Sequence, residues 1–154
     1  MKSLISFINE KLHVSNYKEK GFEYQPKNKS ELMQIIRNII QKEGNECNLN
    51  SIDLSNIEDI SFLFFGKDLK QFDGDISKWD VSHIKNMEGL FYYSEFNGDI
   101  SDWDVSNCDN LACMFEKSKF CGNINNWKIK DTADLEGIFH ACPLENHPPK
   151  WYKQ

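Results

Sequence analysis

The sequence has no apolar run approaching the roughly 20 residues that a membrane span requires, which argues against a transmembrane helix. Its opening, Met1 to Glu10, is broken by polar residues and lacks a small-residue cleavage site, so a secretory signal is not expected. No lipid-attachment motif stands in it. A basic stripe is also missing: lysine and arginine total 18 against 24 aspartates and glutamates, a net charge of −6. Such an acidic surface speaks against a nucleic-acid binder and against a polybasic membrane patch. The chain carries no Walker loop, nucleophile elbow or GxGxxG turn, so the familiar nucleotide and hydrolase signatures are absent. The five cysteines, Cys47, Cys108, Cys113, Cys121 and Cys142, form no CxxC pair. An odd count without an export signal predicts five reduced thiols in a cytoplasmic protein, and the spacing is not that of a zinc site.

What is present is a chain of 154 residues, 40% hydrophobic and 13% aromatic, with 11 phenylalanines. That is enough for one compact domain, or one short repeat array, with a real core. The tryptophans reveal which. Trp79, Trp103, Trp127 and Trp151 recur every 24 residues and include every tryptophan in the chain. Phe72, Phe96 and Phe120, with Leu144 in the fourth place, keep the same period. So do Gly74, Gly98 and Gly122, the row Ile76, Ile100 and Ile124, and the row Phe91, Phe115 and Phe139. A degenerate earlier unit around Asn48 to Ser55 is offset by 27, and three extra residues between Phe65 and Gln71 absorb the difference.

A fixed period of this length marks a stacked repeat, because one unit cannot bury its own apolar face. Trp79 and Val81 flank Asp80 as a short strand would place them. Ile84, Met87, Leu90 and Phe91 follow at helical spacing, as do Leu111, Met114 and Phe115. The glycines suit corners of positive φ. The expected fold is therefore an α/β solenoid, a leucine-rich-repeat-like, right-handed array of about four strand-turn-helix coils. Ile76, Ile100 and Ile124 would form an internal row, and the tryptophans a buried one.

Residues 1–47 carry no repeat and read as an N-terminal cap, with the repeat array spanning 48–154. Leu4, Ile5, Ile8 and Leu12 share one helical face, and Phe22 and Tyr24 alternate in a short strand that Pro26 ends. The clearest helix spans 29–43: Asn28 and Glu31 form a capping pattern, Leu32, Ile35, Ile36, Ile39 and Ile40 share a stripe, and Gly44 is a natural stop. Pro148 and Pro149 would block strand pairing at the far end.

The string from Phe96 to Asn107, followed by Leu111 and Met114-Phe115, resembles the mycoplasma-lipoprotein-type repeat, the BspA-like variant of leucine-rich repeats. The resemblance covers about residues 48–151. The stretch from Tyr24 to Gly44, running into Leu49 to Asp53, is similar to leaders that precede such repeats in bacterial and bacteriophage proteins. The family implies a ligand-binding scaffold without catalytic residues. The chain departs from it in lacking a surface-export signal and in carrying Lys128 and Lys130 where Asp and Ser are expected.

No candidate chemistry outweighs this reading. Asp73-Gly74-Asp75 and Asn97-Gly98-Asp99 look like pieces of calcium loops but lack the further oxygen ligands, so turn chemistry explains them. Cys142 with His140 has no orienting third group. Asp80 and Asp104 would stack about 5 Å apart, near a retaining-glycosidase separation, yet Asp53 fills the same repeated slot. We therefore expect no catalytic residue, no metal and no cofactor. The expected activity is protein binding through outward positions: Lys78, Asp80 and Ser82; Asp102, Asp104 and Ser106; Asn126, Lys128 and Lys130. Its partner would be a protein, neither nucleic acid nor membrane, with a bacteriophage or mobile-element product acting on a host protein as one setting. Two alternatives remain: a carbohydrate-binding protein using exposed tryptophan rows, and a structural subunit of a larger assembly.

Overall fold

The computed structural model describes residues 21–153. The expected amphipathic face of Leu4, Ile5, Ile8 and Leu12 lies outside the described residues. Helix α1, Lys29–Glu43, forms where the pattern places it. Asn28 Oδ1 accepts the Glu31 N–H at 3.0 Å, and Glu31 reaches back to the Lys27 N–H at 2.9 Å. Leu32, Ile35, Ile36 and Ile39 are buried, and Gly44 ends the helix at φ 91°, its N–H bonded to the Ile40 carbonyl. Tyr24 makes an isolated parallel bridge with Ile52 where the short strand was expected.

The α/β solenoid expectation is wrong. Among the described residues α1 is the one α-helix, a short 3₁₀ turn spans Pro143–Glu145, and no strand or sheet is formed. Among the described residues no strand-turn-helix coil is formed. The chain instead runs as successive turns tied to one another by isolated parallel bridges, Asp59 to Asn86, Asn86 to Asn110 and Asn110 to Asp134.

Hydrogen bonding explains why the helical spacing misled. From Met87 to Ser94, alternate N–H groups leave for the following unit. Met87, Gly89, Phe91 and Tyr93 donate to the carbonyls of Asn110, Ala112, Met114 and Glu116 at 2.8–3.0 Å. The N–H groups between them, of Leu90, Tyr92 and Ser94, close i→i−3 turns onto Met87, Gly89 and Phe91. A helix needs every interior N–H for its own i−4 carbonyl, so this backbone cannot be one. Residues in the left-handed region also interrupt it. Gly89, Cys113 and Gly137 share one slot with Phe62, while Tyr93, Lys117 and Ala141 share another, all near φ 51–64°.

The expected strand at Trp79 to Val81 has the right alternation but no ladder. The Trp79 N–H bonds to the Ile76 carbonyl three residues back, and the Ile84 N–H to that of Val81. The Asp80 carboxylate between them accepts the Ser82 N–H at 3.0 Å and its hydroxyl at 2.6 Å. These side-chain-capped turns recur. Asp59, Asn86, Asn110 and Asp134 each accept the N–H two residues on, at 2.7–3.0 Å. Asn48, Asp75, Asp99 and Asn123 do the same at 2.8–3.0 Å. The frequent Asx residues therefore satisfy backbone donors that neither helix nor sheet would satisfy here.

The core lies between these turns. Phe64, Phe91, Phe115 and Phe139 form one row, with ring centroids 5.6–6.0 Å apart. Phe72, Phe96 and Phe120 form a second at 6.0–6.3 Å, and the rows meet face to face at 4.3–4.7 Å. Ile76, Ile100 and Ile124 are buried, as their spacing predicts. Trp79, Trp103 and Trp127 are 3–4% exposed. Each indole N–H donates to a carbonyl of the preceding unit: Leu49, Ile76 and Ile100, with Trp151 repeating the bond to Ile124. The glycine corners carry a second correction. Gly74, Gly98 and Gly122 do not have positive φ; they are glycine because a Cβ would strike the phenylalanine two residues before, at 2.7–2.8 Å.

Candidate functional site

The nine polar positions proposed from sequence fall into two kinds. Lys78, Asp102, Asn126, Lys128 and Lys130 are exposed. Lys130 pairs with Asp109, off the row. Asp80 and Asp104 are exposed too, but their carboxylates are committed to Ser82 and Ser106, whose hydroxyls they accept at 2.6 Å. Ser82 and Ser106 are half-buried in those bonds. Asp80 and Asp104 thus hold turns together, and Lys128, in the same slot of the third unit, cannot.

These bonds have an acid signature. The Ser82 and Ser106 donors hold the Asp80 and Asp104 carboxyls below the ordinary aspartate value, and the Ser77 and Ser101 donors do the same for Asp75 and Asp99. A carboxyl whose folded pKa is depressed adds stability above its unfolded pKa, about 4, and loses it as pH falls through the folded value. We expect the thermal midpoint to drop on acidification below about pH 4. The double change Asp80→Asn, Asp104→Asn should flatten that drop, and an equally steep drop in the variant would show that other groups titrate.

The hollow beside the start of α1, about 430 Å³, is lined by Lys27, Asn28, Lys29, Ser55, Asn56 and Asp59 among others. Its polar groups are already engaged: Asn28 caps the helix, Lys29 bonds Asp59 and Ser61, and Asn56 donates to the Pro26 carbonyl. It is the seam between α1 and the first unit. Among the described residues no three His, Cys, Asp or Glu side chains converge as metal ligands. The cysteines are free thiols; Cys47, Cys108 and Cys142 are buried, and Cys121 is exposed. Burial, then Glu116, push the Cys113 thiol up to about 11, so it is a poor nucleophile at neutral pH.

Among the described residues the large hydrophobic side chains left exposed are aromatic. Phe62, Phe65 and Tyr93 are 38%, 48% and 53% exposed. With Tyr92 they make a ridge of edge-to-face contacts: Phe65 to Tyr92 and Tyr92 to Tyr93 at 5.3 Å, Phe62 to Phe65 at 6.1 Å and Phe62 to Tyr92 at 6.3 Å. Lys117 lays its ammonium over the rings of Tyr92 and Tyr93, 5.7 and 5.4 Å from their centroids, and pairs with Glu116 at 3.2 Å.

Three departures from the repeat build this ridge. Phe62 stands at φ 51° in the slot where later units have Gly89, Cys113 and Gly137. Its ring lies on Gly89, where a Cβ would come within 2.2 Å of it. Phe65 opens the three-residue insertion, and Tyr93 sits at φ 57°. A bulky residue held in the left-handed region costs about 1–3 kcal/mol. Sequence reasoning located the insertion but not the ridge. The signal was there in the columns: reading down each slot sets Phe62 above two glycines, and Phe65 and Tyr92 above Glu116 and His140.

A family model described as "Mycoplasma protein of unknown function, DUF285" matches residues 31–151. The chain belongs to this family. The DUF285 match takes in all but the first residues of α1 and every tryptophan, so the helix and the repeated turns together fall within the family's span. No curated protein and no solved structure matches the chain. No helix among the described residues of this DUF285 chain is long and apolar enough to cross a membrane.

Proposed function

We propose that the chain is a non-catalytic protein-binding module whose contact face is the ridge of Phe62, Phe65, Tyr92 and Tyr93. The observation that carries this is the exposure of three large aromatic side chains in one cluster, at positions where the repeat otherwise uses small or charged residues. Aromatic residues dominate the centres of protein interfaces because they bury much area at little conformational cost. Two of the four stand in left-handed backbone, so the fold holds them out instead of folding them in. The carbohydrate alternative loses the surface it named, since the tryptophan faces are stacked inside the core.

We also read the chain as a cytoplasmic protein of bacterial or bacteriophage origin acting on a host protein. Support comes from the resemblance of its repeat to BspA-like repeats, from the similarity of Tyr24 to Asp53 to leaders of bacterial and bacteriophage proteins, and from its free thiols.

The test compares capture from native cell lysate by three forms. They are the parent, Phe65→Ser with Tyr93→Ser, and Lys78→Ala with Asp102→Ala and Lys128→Ala. Quantitative mass spectrometry should show the partner lost with the ridge variant and kept with the polar one, at unchanged melting temperature. Loss with the polar variant alone would move the contact face there; equal capture by all three would refute the ridge.

A further inference from the structure

The ridge already holds a cation. The Lys117 ammonium lies within the roughly 6 Å over which a ring face attracts positive charge, 5.7 Å from Tyr92 and 5.4 Å from Tyr93. We propose that this is an intramolecular stand-in: the ridge takes a cationic segment of a partner protein, an arginine or lysine seated on Tyr92 and Tyr93 where Lys117 now lies. This deepens the protein-binding reading and rests on it.

The surroundings favour that chemistry. Glu116 sits beside the two tyrosines, bonded to Lys117 at 3.2 Å. Glu88 precedes Gly89, the floor under Phe62, and accepts from Asn110 at 3.2 Å. A Cβ on Gly137 would meet Cys113 Sγ at 3.3 Å and the Glu116 carboxylate at 3.6 Å, so Glu116 lies over the slot that Phe62 and Gly89 occupy in earlier units. Glu116 holds the Lys117 ammonium at 3.2 Å, and the whole chain carries −6. An incoming cation thus meets both ring faces and counter-charges, while Phe62 and Phe65 are placed to cover the aliphatic stem of a long basic side chain. A guanidinium fits better than an ammonium because it stacks flat on tyrosine and is more weakly hydrated. The same carboxylates repel phosphate, which disfavours a nucleic acid. Lys117 is itself exposed, its ammonium held only by one carboxylate and two rings, so it is a displaceable occupant.

The test uses the full chain and two fluorescent peptides, an alternating arginine–glycine octapeptide and its glutamine–glycine counterpart, with anisotropy as readout. The arginine peptide should bind and the glutamine peptide should not. Binding should weaken as salt rises, since exposed charges are screened. Tyr93→Ala and Glu116→Gln should each weaken it about tenfold, a loss within the range of a partly desolvated cation–ring contact. Lys117→Ala should tighten it several-fold by removing the internal competitor, a direction that a merely structural lysine would not give. Equal binding of both peptides, or weaker binding by Lys117→Ala, would overturn the proposal. If the ridge variant still loses its lysate partner while the arginine peptide fails to bind, the protein-binding face stands and the cationic partner falls.

Discussion

Trp103→Ala should lower the melting temperature by about 10 °C or more. The side chain is 4% exposed, its ring stacks on Trp79 at 6.4 Å and on Phe91 at 6.3 Å, and its N–H donates to the Ile76 carbonyl at 3.2 Å. Removing a buried aromatic costs about 3–5 kcal/mol, and in a domain of this size each kcal/mol moves the midpoint by about 2–4 °C. Trp103→Phe separates the two contributions. It keeps an aromatic ring in the stack but removes one of the two hydrogen bonds to the Ile76 carbonyl, which still accepts the Trp79 N–H, and should cost about 0.5–1.5 kcal/mol through that bond. Asp104→Ala, on the adjacent outward position, removes two bonds to Ser106 near water and should cost about 1 kcal/mol. A calorimetric series in which Trp103→Ala melts within a few degrees of the parent would mean that the indole is not part of the core.

The core was legible because burial depends on period alone. Trp79, Trp103, Trp127, the phenylalanine rows and the isoleucine row all lie inside, as their 24-residue spacing predicts. The backbone was not legible, because two conformations share one side-chain pattern. Met87, Leu90 and Phe91 fall at i, i+3 and i+4, which is a helix face, but consecutive i→i−3 turns also return those residues to one side. What decides between them is where the intervening N–H groups go, and that is a property of the neighbouring unit 24 residues on. Helix α1 was read correctly because it has no such neighbour in its hydrogen bonding: its cap, stripe and stop are all local. The cap role of Asp80 and Asp104 was missed for a related reason. Asp followed two residues later by Ser is a turn signature, but inside an alternating Trp-Asp-Val it reads as the outer face of a strand.

The ridge was hidden by its own composition. Phe62, Phe65, Tyr92 and Tyr93 sit among buried aromatics in sequence, and aromaticity normally predicts burial. Only their slots distinguish them. Phe64, two residues from Phe62, belongs to the stacked row with Phe91, whereas Phe62 occupies the left-handed slot whose other members are small. A side chain there lies over the same slot of the following unit, as the Phe62 ring lies on Gly89 and Cys113 Sγ on Gly137.

Gly74→Ala should be the most damaging of the corner substitutions, costing about 3 kcal/mol, the upper end of ordinary overpacking. A Cβ there would lie 2.0 Å from the Cys47 carbonyl oxygen and 2.7 Å from the Phe72 ring. The carbonyl cannot move away freely, because it accepts the Asp75 N–H at 3.0 Å, while the Asp75 carbonyl accepts the Leu49 N–H at 2.9 Å. This pair of bonds is the bridge that ties the first unit to the second, so relief of the clash breaks the tie. Gly98→Ala should cost less, since its nearest contacts are the Phe96 ring at 2.8 Å and the Gly74 carbonyl only at 3.0 Å. Gly122→Ala should cost least of the three, because its three nearest contacts are all with the Phe120 ring, from 2.7 Å. Gly44→Ala isolates the other way a glycine can be needed. Nothing lies within 4 Å of its Cβ, yet its φ is 91°, so it should show backbone strain alone, about 1 kcal/mol. Urea unfolding of the four variants should therefore rank Gly74, Gly98 and Gly122 by distance to backbone, and a Gly74→Ala protein as stable as the parent would remove the close approach of the Cys47 carbonyl to Gly74 as the reason for this corner.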